Sequence, residues 1–193
     1  GLGWRQTNNT AWANVYGTDL GIMWVNGDNQ LTQLAFGHTF SGANMTGAWR
    51  SNVLLLSDDL QLNDGLSLIN TGPAYQFIPA APGQVFFIGS EVTNIPTAAV
   101  YANKTNYVNY MSVKSWDTPG RWTTNYSAIS QYNPTTDKWV LQKQTVRPAG
   151  SFRSSTAHEA GDQNFQQMAY VLQPESNDSQ GDARYVYAFG TLA

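Results

Sequence analysis

The sequence of 193 residues contains no cysteine. A disulfide bond, a thiolate metal site and a cysteine nucleophile are therefore all excluded. Charged residues are also scarce, at 12% of the chain, which is about half the share found in an average globular protein. Amide and hydroxyl side chains take their place, together with seven tryptophans and ten tyrosines. This composition is typical of an extracellular β protein, and some proteins of this kind handle sugars.

The chain also lacks an excess of positive charge and a long hydrophobic run. Its net charge of −3 offers no basic surface to phosphate groups, so we expect no nucleic-acid partner. It has no run of eighteen apolar residues, so we expect no membrane span. His38, His158 and Glu159 do not have the spacing of metal ligands, and we expect neither a metal nor a cofactor. No signal peptide is visible, so secretion would require that the numbering begins after its removal.

Short segments rich in β-branched and aromatic residues recur along the chain, separated by Pro, Gly, Asn and Asp. No window has a sustained helical period, and the best candidate, Ser57–Leu66, is predicted to be a short loop helix. The pattern therefore predicts an all-β fold. The predicted strands are Trp12–Tyr16, Ile22–Val25, Leu31–Phe36, Asn52–Ser57, Ala74–Ile78, Gln84–Gly89, Ala98–Ala102, Tyr107–Val113, Ser127–Gln131, Trp139–Gln142, Gln167–Leu172 and Tyr185–Gly190.

The spacing of these strands fits a sandwich, a barrel or a propeller. An internal similarity favours the propeller, because Leu34–Thr39 and Tyr187–Thr191 both place an aromatic residue and a glycine at the end of a strand. At about four strands a blade, one domain of this length would form about three to four blades.

The segment Thr18–Leu56 is predicted to fold as two hairpins and to carry the densest set of functional candidates. Gly27 is expected to adopt a positive φ and to close a hairpin between Ile22–Val25 and Leu31–Phe36.

Asp19 and His38 fall near the ends of neighbouring predicted strands, and Trp49, Arg50 and Asn52 follow shortly after. An acid, an imidazole, a guanidinium and an amide could thus meet at one end of a sheet. Asp19 could instead hydrogen-bond the backbone of its own turn, and His38 could be a histidine at the rim without a chemical role. Imidazole is nevertheless able to transfer protons near neutral pH.

One further acid and four aromatic residues extend the set of candidates. Glu91 precedes a proline-bounded turn, and is either an acid at a blade edge or a solvated loop carboxylate. Trp116, Trp122, Tyr110 and Tyr126 offer flat faces, which either stack on sugar rings or fill the space between blades. The sequence leaves both interpretations open.

Seven motifs follow one another along nearly the whole chain: TDLG at Thr18–Gly21, FGHTF at Phe36–Phe40, WRSNVLLLS at Trp49–Ser57, IPTAAV at Ile95–Val100, NYMSVKSWDTPGRWTTNYS at Asn109–Ser127, NFQQMAY at Asn164–Tyr170 and YVYAFGT at Tyr185–Thr191. In this order they resemble a family of secreted actinobacterial, phage-borne and fungal proteins. That family is described as a domain of unknown function and is associated with endo-D-arabinanase activity on the mycobacterial cell wall.

The resemblance implies a five-bladed β-propeller related to furanoside hydrolases, in which carboxylates meet in a central funnel. Asp19 would supply one carboxylate, whereas His38 stands where family members typically have Asp. The family continues beyond the FGT strand, so the chain would be one propeller domain, or its N-terminal part, completed by a missing segment or a partner chain. The residues expected to bind the substrate are Trp49, Arg50, Asn52, Glu91, Arg121, Asn164 and Gln166.

Glycoside hydrolysis usually requires two carboxyl groups, at separations of about 5 Å or about 6.5–9.5 Å, and an imidazole is a poor replacement for one of them. Three hypotheses follow. The first is a secreted hydrolase of an arabinan-like furanose polysaccharide, and the second is a protein that binds such a polysaccharide without cutting it. The third is a surface or assembly protein that pairs with another chain through the strand edge near Tyr185–Thr191.

Five Asn-X-Ser/Thr sequons favour a secreted glycoprotein. They begin at Asn8, Asn44, Asn103, Asn125 and Asn177.

Overall fold

The structure is a computed structural model that describes residues 10–80, 91–118, 121–151, 156–173 and 185–192. These residues form strands and short 3-10 turns without an α-helix, so the predicted all-β class is confirmed. No helix in the described ranges is long and apolar enough to cross a membrane. The 3-10 turns are Ala11–Ala13, Leu62–Asp64 and Lys143–Thr145. The strands are β1 (Gly17–Thr18), β2 (Ile22–Val25), β3 (Thr32–Phe36), β4 (Thr39–Gly42), β5 (Thr46–Arg50), β6 (Val53–Ser57), β7 (Thr93–Ala102), β8 (Thr105–Thr118), β9 (Arg121–Asn133), β10 (Lys138–Leu141), β11 (Arg147–Pro148), β12 (Met168–Leu172) and β13 (Val186–Gly190).

The first six strands form a three-stranded antiparallel arrangement that is interrupted in the middle. On one side of the break β3 pairs with both β2 and β6, and on the other side β4 pairs with both β1 and β5. Along the chain β1 leads into β2, β3 into β4 and β5 into β6. Only residues 19–21, 37–38 and 51–52 separate the strands of one set from those of the other. The second set thus continues the first beyond a break, and the three connecting segments lie at that break.

The second sheet has the order β10-β9-β8-β7, with β11 also paired to β9. β8 and β9 have 14 and 13 residues, and are much longer than predicted. Asparagine is rare in strands, but Asn109 donates to the carbonyl of Ala128 at 3.3 Å and Asn125 donates to Ser112 Oγ at 3.1 Å. These buried amides find their partners within the sheet, so Asn125, which precedes the predicted strand Ser127–Gln131, lies inside β9.

β12 and β13 form a two-stranded sheet near the C-terminal end of the described chain. All five residues of β13 are exposed, including Tyr187 and Phe189. Pairing with another chain along this exposed strand stays a prediction.

β2 and β7, the first strands of the first two sheets, run in the same direction. The ring of Tyr101, at the end of β7, lies against Gly27, which follows the end of β2. The hydroxyl of Tyr101 donates to Asp28 Oδ1. The two strand ends therefore lie together. At the other end, Asn52, just before β6, donates to Asn94 near the start of β7, and the start of β6 is level with that of β2.

β12 runs in this direction as well. The hydroxyl of Ser127 donates to the carbonyl of Phe165 at 3.1 Å, and the Tyr170 side chain is hydrogen-bonded to Asn109. The sheet register places Ser127, across β8, level with the start of β7, and Asn109 opposite Ala98 further along β7. β7 contacts β2 and β12, so the three sheets follow one another with their first strands aligned.

The largest apolar cluster lies where the first and second sheets pack together. The indole of Trp24 lies edge-on to that of Trp139, with 6.3 Å between ring centroids, and its Nε1 donates to Asn106 Oδ1 at 2.9 Å. The buried members are Trp24, Ala35, Ile78, Val108, Tyr110, Tyr126, Ala128, Trp139 and Val146. Tyr110 and Tyr126 thus fill space between sheets.

Two predicted strands are wrong. The segment Trp12–Tyr16 contains the end of a 3-10 turn and a left-handed Asn14 (φ 55°), and Ala74–Ile78 has no regular structure. Side chains of Arg50 and Asn52 bond the backbone of these segments, so a sheet partner is not needed there. The short helical loop predicted after β6 is confirmed as a 3-10 turn. The predicted strand Gln84–Gly89 lies outside the described residues.

The hairpin of β2 and β3 is confirmed, but its expected positive φ at Gly27 is wrong. Gln30 holds the left-handed position in this turn, with φ 59°. The lack of a side chain at Gly27 instead lets the ring of Tyr101 pack closely, since a Cβ there would overlap that ring.

Candidate functional site

The break in the first sheet brings the connection around Asp19 against the one around His38. The N–H of Gly37 donates to the carbonyl of Asp19 at 2.8 Å. Leu20 has a left-handed φ of 50°, so the backbone turns sharply after Asp19. A Cβ on Gly37 would lie 2.6 Å from Asp19 Oδ1. The absence of a side chain at Gly37 therefore provides the space that the carboxylate occupies.

Asp19 and His38 form a hydrogen-bonded pair. Nδ1 of His38 lies 3.2 Å from Asp19 Oδ2. The side chain of His38 is 18% exposed, and that of Asp19 is 49% exposed. A carboxylate bonded to Nδ1 fixes the orientation of the imidazole and leaves Nε2 for another partner. The pair could thus exchange a proton with a ligand bound beside it.

Three half-exposed indoles surround this pair. The ring of His38 is tilted by 32° over Trp49, with 5.9 Å between centroids. Its edge meets Trp116 at 5.4 Å, and Trp122 follows 6.0 Å from Trp116. Trp49, Trp116 and Trp122 are 44%, 45% and 39% exposed. Exposed aromatic faces next to hydrogen-bonding groups suit the apolar faces and hydroxyls of sugar rings, and we call these five residues the aromatic site.

Arg50 bonds to backbone carbonyl groups and holds three parts of the chain together. Its guanidinium donates to the carbonyl oxygens of Ala74, Asn14 and, at 3.5 Å, Ala13. Burial lowers the pKa of the guanidinium. The geometry gives Arg50 a structural role at the end of β5, and a contact with substrate stays a prediction.

Asn52 is fully buried and belongs to a polar network. Its Oδ1 accepts from the N–H groups of Phe77 and Ile78 at 3.1 and 2.9 Å, and its Nδ2 donates to Asn94 Oδ1. Asn94 in turn donates to Glu91 Oε1 at 3.1 Å. Asn52 therefore fastens the loop before Pro79, and the network also includes Glu91.

The other predicted substrate contacts come from a different part of the chain. Gln166 is 9% exposed, and its Nε2 donates to the carbonyls of Arg147 and Asp162 at 3.1 and 3.0 Å. Asn164 lies in the same turn, before β12. Arg121 begins β9, and its side chain lies outside the described part of the chain.

These candidates nevertheless approach the same end of the sheets. Asp19, Glu91 and Gln166 come just before β2, β7 and β12, which run in one direction. Trp116 and Trp122 lie near the hairpin end of β8 and β9, which antiparallel pairing brings to that same end. Direct contacts link Asp19 to His38, His38 to Trp49 and Trp116, and Trp116 to Trp122, whereas binding of substrate by the wider set stays a prediction.

Gly37 and Asn94 matter for this region but were not among the predicted site residues. The signal for Gly37 was its position directly before a histidine at a strand end. Asn94 gave none, because an asparagine next to a proline-bounded segment usually indicates a turn.

The structure also gives the surroundings of His158 and of three sequon asparagines. His158 Nε2 lies 3.2 Å from Gln163 Oε1, and the described residues contain no group of three or more His, Cys, Asp or Glu that could hold a metal. Of the sequon residues, Asn44 and Asn103 are exposed but Asn125 is fully buried, so a glycan on Asn125 would not fit the folded chain. Asn8 and Asn177 lie outside the described ranges.

The fold and the site define an all-β protein of successive antiparallel sheets, with an Asp–His pair among half-exposed tryptophans. Residues 5–193 match the model of a family described as a domain of unknown function, DUF4185. Because the match covers nearly the whole chain, the protein belongs to the DUF4185 family. No curated protein matches its sequence.

Proposed function

We propose that this protein is a secreted carbohydrate-active protein that binds an arabinan-like furanose polysaccharide at the aromatic site and acts on it as a glycoside hydrolase. The observation that carries the proposal is the group of three half-exposed indoles around the hydrogen-bonded Asp19–His38 pair. Indole faces bind the apolar faces of sugars, while the pair lies where it could transfer a proton to a glycosidic oxygen.

The strand directions support a propeller as the finer architecture. β2, β7 and β12 are the first strands of three successive sheets, and they run side by side in one direction. In a propeller such strands surround the central channel, and their starts meet at one face of the disc. A five-bladed propeller would therefore direct Asp19 and Glu91 toward a shared opening.

Hydrolysis would use Asp19 as one of two acid groups. The usual mechanism requires two carboxyl groups about 5 Å or about 6.5–9.5 Å apart, and the nearest partner of Asp19 is an imidazole. Either His38 performs the proton transfer itself, or another acid at this end supplies the second carboxyl group. Glu91 is the first acid to test, because it precedes β7 as Asp19 precedes β2.

Binding without cleavage is the second candidate function. It is favoured by His38, since an uncharged imidazole stabilises a positively charged transition state less well than a carboxylate does. The aromatic site would bind sugar equally well in this case.

Binding and cleavage can be measured separately on arabinan oligosaccharides. We expect Trp49→Ala to weaken binding about tenfold, which corresponds to about 1.4 kcal/mol and to the loss of one stacking face. Tyr75→Ala is a matched control, because Tyr75 is a 77% exposed aromatic residue outside the site. Equal affinities of the two variants would contradict the proposed binding site.

Cleavage is tested by the release of reducing ends. Asp19→Asn removes a charge at nearly constant shape, so hydrolysis should fall by orders of magnitude while folding is retained. His38→Asp should raise the rate if a second carboxylate is what the site lacks. Binding by the wild type with no release by either the wild type or His38→Asp would leave the non-catalytic function. Wild-type hydrolysis by Asp19→Asn would show that Asp19 belongs only to its turn.

A further inference from the structure

A second concave site lies at the opposite end of the first two sheets. It is a cleft of about 750 Å³ between the turn after β2, the strands β3 and β6, and the hairpin of β9 and β10. Gln33 lines it at the start of β3, whereas His38 follows the end of that strand. At about 3.3 Å a residue, the two positions are on the order of 15 Å apart along the strand. The cleft is therefore separate from the aromatic site.

Aromatic rings form the inner wall of this cleft. Trp139 is edge-on to Phe77 at 5.3 Å between centroids, and Tyr132 lies tilted against it at 5.6 Å. Trp139 is 8% exposed and packed into the main core, so the wall is rigid. The volume lies within the range of about 300–1,000 Å³ that is usual for small-molecule sites.

Two carboxylates at the mouth of the cleft are held in place by tyrosine hydroxyls. Tyr101 donates to Asp28 Oδ1, and Tyr132 donates to Asp137 Oδ1 at 2.8 Å. One oxygen of each carboxylate is thereby oriented, while Lys138 contributes a single positive charge to the same lining. The two carboxylates outnumber the one ammonium group in the lining, so a ligand with a negative charge would be repelled.

Gln33 supplies an acceptor deeper in the cleft. The residue is 8% exposed, and its Oε1 is buried without a hydrogen-bond partner among the described residues. A buried acceptor without a partner is unfavourable, so a turn of the Gln33 side chain toward the cleft that lets a ligand donate to Oε1 is favoured. A purely apolar ligand would leave the oxygen unpaired.

We propose that this cleft is a second carbohydrate-binding site that takes a neutral oligosaccharide. Hydroxyls of the sugar donate to Gln33 Oε1 and to the carboxylates of Asp28 and Asp137, and the rings of Phe77 and Tyr132 contact its apolar face. The proposal does not depend on the function of the aromatic site. A protein with two sugar sites at opposite ends could hold two segments of one polysaccharide.

The test uses a background in which the aromatic site is disabled, with Trp49→Ala and Trp116→Ala combined. Neutral arabino-, xylo- and gluco-oligosaccharides are titrated calorimetrically, with oligogalacturonate as an anionic probe and spermidine as a cationic probe. We expect at least one neutral probe to bind and oligogalacturonate not to bind. Binding of spermidine alone, binding of oligogalacturonate, or binding of no neutral sugar would overturn the proposal.

Gln33→Met gives a second, independent measurement. It keeps the length of the side chain and removes the buried acceptor, so sugar affinity should fall about tenfold in the disabled background. Without sugar, the thermal midpoint should rise, because the unpaired oxygen is gone. Gln61→Met is the control at an exposed position outside the cleft, and neither quantity should change there. A lower midpoint with unchanged sugar affinity in Gln33→Met would show that the oxygen is already satisfied and would contradict the site.

Discussion

At the scale of single residues, Gly37 determines whether Asp19 and His38 can meet. A methyl group there would lie 2.6 Å from Asp19 Oδ1 and 3.5 Å from Leu20 Cβ. The carboxylate is half-exposed and can swing away, so the clash would separate the pair rather than unfold the chain. The residue without a side chain is thus part of the site, although it has no chemistry of its own.

We therefore expect Gly37→Ala to change stability by less than about 1 kcal/mol while weakening sugar binding and any hydrolysis. The nitrogen chemical shifts of the His38 ring, measured by NMR, should change because its Nδ1 loses the carboxylate. Gly17→Ala is the control, since a Cβ on Gly17 would meet nothing within 4 Å. Ring shifts of His38 equal to those of the wild type in Gly37→Ala would rule out this role.

Trp116 and Trp122 show the same dependence on neighbours. From the sequence they were either sugar-stacking residues or filling between blades. In the structure both are half-exposed, with Trp116 against His38 and Trp122 against Trp116. Tyr110 and Tyr126 had the same two interpretations, and they are buried in the core. Their local sequences do not distinguish these outcomes, because burial depends on which sheet covers each face.

At the scale of secondary-structure elements, buried asparagine side chains make the backbone hydrogen bonds that a neighbouring strand would otherwise make. The segment that was predicted to pair as Ala74–Ile78 is held by Asn52, which accepts from two consecutive N–H groups and donates to Asn94. The side-chain amide of Asn52, just before β6, thus accepts and donates hydrogen bonds as the backbone of an edge strand would. The loop that Asn52 fastens also carries Phe77, which lines the cleft proposed as the second carbohydrate-binding site.

We expect Asn52→Ala to reduce the free energy of unfolding by roughly 2–5 kcal/mol, because it leaves at least two buried N–H groups without an acceptor. Denaturant unfolding measures this directly. Asn29→Ala is a matched control, since Asn29 accepts one hydrogen bond in an exposed turn and should cost less than about 1 kcal/mol. Similar losses in the two variants would contradict the importance of the buried network.

At the scale of the whole molecule, the buried tyrosines make stability depend on alkaline pH. Loss of hydration raises the pKa of Tyr110 and of Tyr126 well above the usual value, and their hydroxyls and nearby Glu91 interact. In the unfolded chain both hydroxyls ionise near pH 10. Above that pH the folded state keeps protons that the unfolded state has lost, so folding becomes less favourable as pH rises.

We expect the urea midpoint to be constant between about pH 7 and pH 9 and to fall steadily above about pH 10. Tyr126→Phe should make this decline shallower, whatever its effect on stability at neutral pH. Tyr75→Phe is the control, because Tyr75 is 77% exposed. A decline as steep in Tyr126→Phe as in the wild type would mean that other groups cause it. The absence of cysteine keeps thiol ionisation out of the measurement.

The all-β class, most strand positions and the two hairpins of the first sheet were predictable from the sequence. Strand propensity and turn residues are local, and for β2, β3 and β6 the local preference agrees with the final pairing. The proximity of Asp19 and His38 was predictable for the same reason, since both follow from the ends of paired strands. The full length of β9 was not, because Asn125, which precedes the predicted strand Ser127–Gln131, is a turn-former unless a sheet satisfies its amide.

The sequence by itself determined the class of fold, the exclusion of cysteine chemistry and the meeting of Asp19 with His38, because each depends on composition or on neighbouring strands. Only the tertiary structure decided that Arg50 and Asn52 bond the backbone, that Trp116 joins His38, and that Gln33 lines a separate cleft. These facts depend on contacts between residues far apart in the chain. Such contacts are set by how the sheets pack together, and local sequence preferences carry no information about that packing.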